Sequence, residues 1–234
     1  ELAHIELTSY FEIVMAEHNA DVSHPAFSNL FIETEYDESL GALIAHRRSR
    51  KASEPTKWIA QIPVVDGAVD GLFEYETDRM QFIGRGNSLK NPRVMESNKP
   101  LSKSVGTVLD PIFSFRAKIK LDPQQSLRIS FVTLVAESKE AIYELIKKYS
   151  AIETCDAAFW LAVIRSQVET RYLNIKAPEM TLYQEMISDI IYLSPMRLNV
   201  CDYISINKRS QSGLWKFGIS GDRPILLLTL EKID

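Results

Sequence analysis

Residue types able to do chemistry concentrate in three stretches. The richest is Gln211-Ser-Gly-Leu-Trp-Lys-Phe-Gly-Ile-Ser-Gly-Asp-Arg-Pro224, where Gly213, Gly218 and Gly221 are interleaved with Trp215, Lys216, Phe217, Ser220 and Asp222. Glycine lets a backbone pass close to a bound molecule, an aromatic ring stacks on a flat apolar face, and polar neighbours fix orientation. The same composition also makes an ordinary turn into the strand-like run Ile225-Leu-Leu-Leu-Thr-Leu230, so two readings stand. The second stretch, residues 75–86, gathers Asp78, Arg79 and Arg85 beside Gly84 and Gly86. It reads either as a backbone open to a ligand or as an Asp–Arg pair pinning a long loop. The third, Ser23-His-Pro-Ala-Phe-Ser-Asn29, displays Phe27 and Asn29. An aromatic beside an amide contacts sugars, and it is equally a common turn.

Other chemistry is excluded or reads as structure. His4, His18, His24 and His46 lack metal-ligand spacing. No G-x-S-x-G elbow or phosphate-binding P-loop occurs, and Gly84-Arg85-Gly86 is too short for a dinucleotide fingerprint. No metal or cofactor is therefore expected. Glu33/Glu35 and Glu74/Glu76 occupy alternate strand positions and share a sheet face each. They are expected to be solvated rather than catalytic, because a working pair must flank the bond it breaks. A net charge of −4 leaves no basic footprint for nucleic acid. Cys155 and Cys201 are too few for a disulfide framework and suggest packed thiols in a reducing compartment. No apolar run approaches the roughly 18–20 residues of a membrane span, and no leader precedes Glu1, so the cytoplasm is the expected location.

The elements that must position these residues divide the 234-residue chain in two. The first 135 residues read as strands. Ile5, Leu7, Ser9, Phe11 and Ile13 share one period-two face. Runs at residues 31–36, 58–65, 72–75, 82–83, 105–109, 112–121 and 127–135 follow, separated by turn chemistry such as Asp66-Gly67 and Asp122-Pro123. Pro63 demotes its run toward an edge or bulge. Many strands without a long helical period predict an antiparallel sandwich or barrel. At Ser138, a good N-cap, the period changes, and Ile142, Leu145, Ile146 and Tyr149 fall at helical spacing. A second helix is expected from about Ile152 to Tyr172, apolar on two faces and hence sandwiched between layers. A third opens at Pro178 and ends at Ser194-Pro195.

At these stretches the chain resembles a known family. His24-Pro-Ala-Phe-Ser-Asn-Leu-Phe-Ile-Glu-Thr-Glu35, Glu76-Thr-Asp-Arg-Met-Gln-Phe-Ile-Gly-Arg-Gly86, Leu101-Ser-Lys-Ser-Val-Gly-Thr-Val-Leu-Asp-Pro-Ile-Phe-Ser114, Phe131-Val-Thr-Leu-Val-Ala-Glu-Ser138 and Gln211-Ser-Gly-Leu-Trp215 look, in this order, like the cyclic β-1,2-glucan synthase group. That group belongs to glycosyltransferase family 36, now glycoside hydrolase family 94, and 1,2-β-oligoglucan phosphorylases are similar too. Ser210 departs from the pattern, which has glycine before Gln-Ser-Gly-Leu-Trp. The resemblance implies a β supersandwich, a helical linker and an (α/α)6 barrel that holds an aspartate general acid. On that pattern residues 1–136 form a sandwich that starts partway through, residues 137–198 a linker, and residues 199–234 a loop and strand leading to a barrel beyond Asp234. The expectation is a mainly β fold with α, a carbohydrate-associated region of a β-glucan-processing enzyme that is not itself catalytic. Phe27, Asn29, Arg85 and Trp215 are the expected sugar contacts. Unpaired sheet edges lead us to expect self-association, with a purely structural or dimerising role, or an independent sugar-binding module, as the alternatives.

Overall fold

The computed structural model describes residues 2–49, 56–96, 99–191, 206–223 and 225, which fall into two compact units, Glu1–Ile164 and Arg165–Asp234. The first unit opens with strands β1 (Ala3–Thr8) and β2 (Phe11–Glu12) and short helices α1 (His18–Ser23) and α2 (Pro25–Asn29). Strands β3 (Ile32–Asp37), β4 (Ala42–Arg47), β5 (Trp58–Asp66) and β6 (Glu74–Asp78) follow, then helices α3 (Arg79–Ile83) and α4 (Arg93–Glu96). Strands β7 (Pro111–Leu121) and β8 (Arg128–Ala136), helix α5 (Lys139–Tyr149) and the first turns of α6 (Ile152–Tyr172) complete it.

Every ladder is antiparallel. One sheet runs β3-β4-β5-β8. The other is built on β7. There β2 and β6 both pair with its first half and so lie on opposite sides, and β1 continues the β2 side. The two-residue period of β4 explains the layering. Leu43 and Ala45 point between the sheets toward Ile32, Ile59, Phe113 and Phe115, while Ala42 and Ile44 point outward beneath Ile142 and Ile146 of α5. The unit is thus a β-sandwich with a helix laid on one outer face, the mainly β fold that the alternation predicts. Ser138 caps α5 by accepting from the Ala141 amide at 3.1 Å. Burying Ile142 and Ile146 contributes on the order of 2 kcal/mol each.

Some expectations fail for local reasons. Phe82 and Ile83 lie in α3 rather than in a strand. The Asp78 carboxylate accepts from the Met80 and Gln81 amides at 2.7 and 3.3 Å, starting a helix whose inner face packs on Ile112. Residues 105–109 form no strand, since Gly106 makes an isolated bridge to Thr34. The turn at Pro25 is instead α2, with the proline at its start. Pro63 sits in a strand flanked on both sides, yet the β4 ladder stops at Gln61, so Pro63 falls where β5 has lost that neighbour. Ile5 and Leu7 are exposed on β1, whereas Ile13 of the same predicted face is buried. Helix α6 is not sandwiched: none of its residues is buried, and Phe159 is 68% exposed.

The second unit contains the end of α6, helix α7 (Ala177–Ile191) and a helical turn, α8 (Ser212–Trp215). The stop at Ser194-Pro195, Cys201 and most of the run Ile225–Leu230 lie outside the described residues.

Candidate functional site

The chemistry-bearing residues of the first unit meet at one loop-rich end of the sandwich. Arg79, the first residue of α3, is its hub. Its backbone amide donates to the Asp110 carbonyl at 3.0 Å, seating the helix start against the entry to β7. Its Nε donates to Glu12 Oε1 at 3.1 Å and to the Tyr10 hydroxyl at 3.2 Å. The Tyr10 hydroxyl in turn donates to Glu12 Oε1 at 2.6 Å. Alternation on the β2 segment sets Tyr10 and Glu12 on one side, and the Tyr10 ring leans on Phe82 at 5.0 Å.

This triad polarises its members. Burial, and then the hydrogen bond to Glu12, push the Tyr10 phenol up to about 12. The Tyr10 hydrogen bond holds the Glu12 carboxyl below its ordinary range, with Arg79 reinforcing it against burial. The same phenol raises the Arg79 guanidinium. Glu12 is therefore a fixed anion, the opposite of a group tuned to deliver a proton.

Two cavities adjoin Arg79. One, of about 360 Å³, is walled by Glu12, Asp21, Asn29, Arg79 and Asp110. The other, of about 550 Å³, is walled by Arg79, Met80, Arg85, Asn87, Leu89 and Lys90 among others. Asn29 is anchored by donating Nδ2 to Asp110 Oδ1 at 3.3 Å. Of the sequence-predicted contacts, Asn29 and Arg85 thus occupy adjoining cavities on either side of Arg79. Phe27 is not in their walls. It projects from α2, 52% exposed and edge-on to Phe31 at 5.6 Å. Trp215 belongs to the second unit, where its Nε1 donates to the Ser220 carbonyl at 3.3 Å. Gln211 donates to the same carbonyl at 2.8 Å and to Asp222 at 2.7 Å, and Gly218 and Gly221 turn at positive φ. The loop is closed by its own hydrogen bonds and leaves the Trp215 and Phe217 rings exposed.

The Glu74/Glu76 pair is a correction. These carboxylates are not solvated, because residues 99–106 cross over them as a strap. Glu76, 1% exposed, accepts from the amides of Thr77 and Asp78 at 3.0 Å, from the Ser102 amide at 3.3 Å, and from the Ser102 and Ser104 hydroxyls. Glu74 accepts from the Leu101 amide at 3.0 Å and pairs with Lys118 at 3.2 Å. Burial alone would raise the Glu74 carboxyl, but these donors and Arg116 hold it below its ordinary value. Arg116, also buried, donates to the Lys99 and Val94 carbonyls at 3.2 and 2.7 Å. No sequence period announces such a strap. Its one trace is the run Ser102-Lys-Ser104, which offers two hydroxyls to a single acceptor. Among the described residues no cluster of His, Cys, Asp or Glu has the arrangement of a metal site, and no helix is long and apolar enough to cross a membrane.

A family model of the glycosyl hydrolase 94 supersandwich domain matches residues 1–152, from β1 through α5. The chain belongs to this glycosyl hydrolase 94 family. It is also similar to a cyclic beta-(1,2)-glucan synthase, NdvB, from Rhizobium meliloti (strain 1021), with 30% identity over 226 residues. That alignment covers 97% of this chain and 8% of the relative, so the chain spans a small part of that protein's length. The supersandwich match contains the hub Arg79, both cavities and the strap.

Proposed function

We propose that this chain is the sandwich and linker of a β-glucan-processing enzyme of the glycosyl hydrolase 94 family, in a cytoplasmic setting. It supports and walls an active site while supplying none of the reacting groups. In this reading residues 1–136 are the supersandwich, residues 137–198 the helical linker, and residues 199–234 the approach to an (α/α)6 catalytic domain. Asn29 and Arg85 contact the sugar from adjoining cavities, with Phe27 and Trp215 adding aromatic faces. The observation that carries the non-catalytic role is the state of the carboxylates. Glu12 is held ionised by Tyr10 and Arg79, Asp110 is tied to Asn29, and Glu76 is enclosed by five donors. None of these stands ready as a general acid facing an open cleft.

Calorimetric titration of this chain with β-1,2-glucooligosaccharides tests the sugar contacts. Heat at millimolar sugar that Asn29→Ala and Arg85→Ala weaken several-fold is the expected result. In the full enzyme, Arg85→Ala and Trp215→Ala should lower turnover and leave assembly intact. A second reading, a dimerising scaffold, is favoured by the outer edge of β8, which no strand pairs among the described residues. Variants that lose the oligomer and keep full turnover would establish it instead.

A further inference from the structure

We propose that the face formed by α3, the turn at residues 84–91 and α4 docks on an anionic phospholipid surface. This goes beyond the sugar-supporting role, with which the face shares the cavity wall of Arg85, Leu89 and Lys90. From Arg79 to Glu96 this face carries four cations, Arg79, Arg85, Lys90 and Arg93, and the single acid Glu96, although the whole chain is net −4. Arg79 is committed to Glu12, but Arg85 and Lys90 form no ion pair among the described residues. Three apolar side chains stand out among these cations, with Met80 57%, Leu89 51% and Met95 54% exposed.

The platform is stiff. Arg93 Nη2 donates to the Gln81 carbonyl at 3.2 Å and to Gln81 Oε1 at 3.1 Å, locking α4 to α3. Gly84 turns at φ 84°, and a Cβ there would lie 2.8 Å from Arg93 Cβ, so the two helices approach closely. The Ser88–Asn91 bridge closes the turn that presents Leu89 and Lys90. Charge complementarity therefore selects an anionic partner, and the apolar tips select its kind. Isolated apolar side chains between cations insert one by one into a fluid headgroup layer. A protein partner would instead need matched relief over about 800 Å² of each surface.

The test is flotation of the whole chain with phosphatidylcholine vesicles, with and without about 30 mol% phosphatidylglycerol. The expected result is binding to the anionic vesicles alone, reduced at least tenfold by Lys90→Glu, by Leu89→Ser and by about 0.5 M salt. Leu89 and Lys90 also wall the cavity that holds Arg85, so Met95→Ser, which lies outside both cavities, is the control: it should weaken flotation and leave the calorimetric sugar response intact. Absence of flotation, equal binding to neutral vesicles, or binding that none of these variants weakens would overturn the proposal. Retention on polyglutamate beads without flotation would overturn it in favour of an acidic protein partner.

Discussion

Glu76 shows how a single side chain can organise a surface crossing. Its carboxylate gathers two amides of its own strand end together with one amide and two hydroxyls of the strap. Glu76→Ala would strand these buried donors at a cost of about 3 kcal/mol in urea unfolding, whereas Glu76→Gln keeps part of the network and should cost less. Tyr10 makes a different prediction. Its phenol is raised from 10.0 to about 12, so the protonated form is the one that folding favours. That contribution is whole below the ordinary tyrosine pKa of about 10 and is lost as pH rises through about 12. Tyr143 is raised to about 12 as well, by burial and a hydrogen bond to Asp37. Ultraviolet titration should show a late phenolate step near pH 12, from which Tyr10→Phe and Tyr143→Phe each remove a part.

At the scale of elements, helix ends and close crossings decide what the periodicity leaves open. Gly84→Ala places a side chain at positive φ and against Arg93, and should destabilise by about 1–3 kcal/mol while freeing α4. Faster amide exchange at residues 93–96 is the accompanying sign. Ser138→Ala, which removes the α5 cap, should cost about 1 kcal/mol in the same unfolding assay. The same contrast marks what the sequence made legible. β5, β7 and β8 and the stripe of α5 follow from alternation and from helical spacing, whereas the run of four buried residues Ala42–Ala45 that opens β4 has no alternation to announce it. Phe82-Ile83 misleads because two apolar residues have no period, and the deciding group, Asp78, lies four residues upstream. The burial of Glu74 and Glu76 was not legible because a strand pattern says which residues share a face and not what later chain will cover it. At the loop end, Asn29 and Arg85, singled out by residue type, line adjoining cavities. Arg79, the group between them, appeared in the sequence as one cation in a cluster.

For the whole molecule the two sides of the sandwich differ. Backbone bonds of 2.9 and 2.7 Å join Gly106 to Thr34 on β3, and Lys103 donates to the Tyr75 carbonyl on β6 at 3.1 Å. The strap thus stitches the outer strand of one sheet to the outer strand of the other. Opposite it, β1 and β8 have no further strand partner among the described residues, and Val135 is exposed there. Nothing charged interrupts β8 between Ile129 and Ala136. Light scattering of this chain should therefore show concentration-dependent association, and Val135→Lys should shift it toward monomer. A clean monomer at high concentration in the unaltered chain would refute this.

The strap gives the architecture a direction of growth. New strands cannot join on the β3–β6 flank without unpicking a buried carboxylate network, but they can be added at the β1–β8 flank without disturbing a single existing ladder. Insertions, fusions or inherited extensions should therefore accumulate on that one flank, leaving the hub at Arg79 in place while the sheets widen away from it.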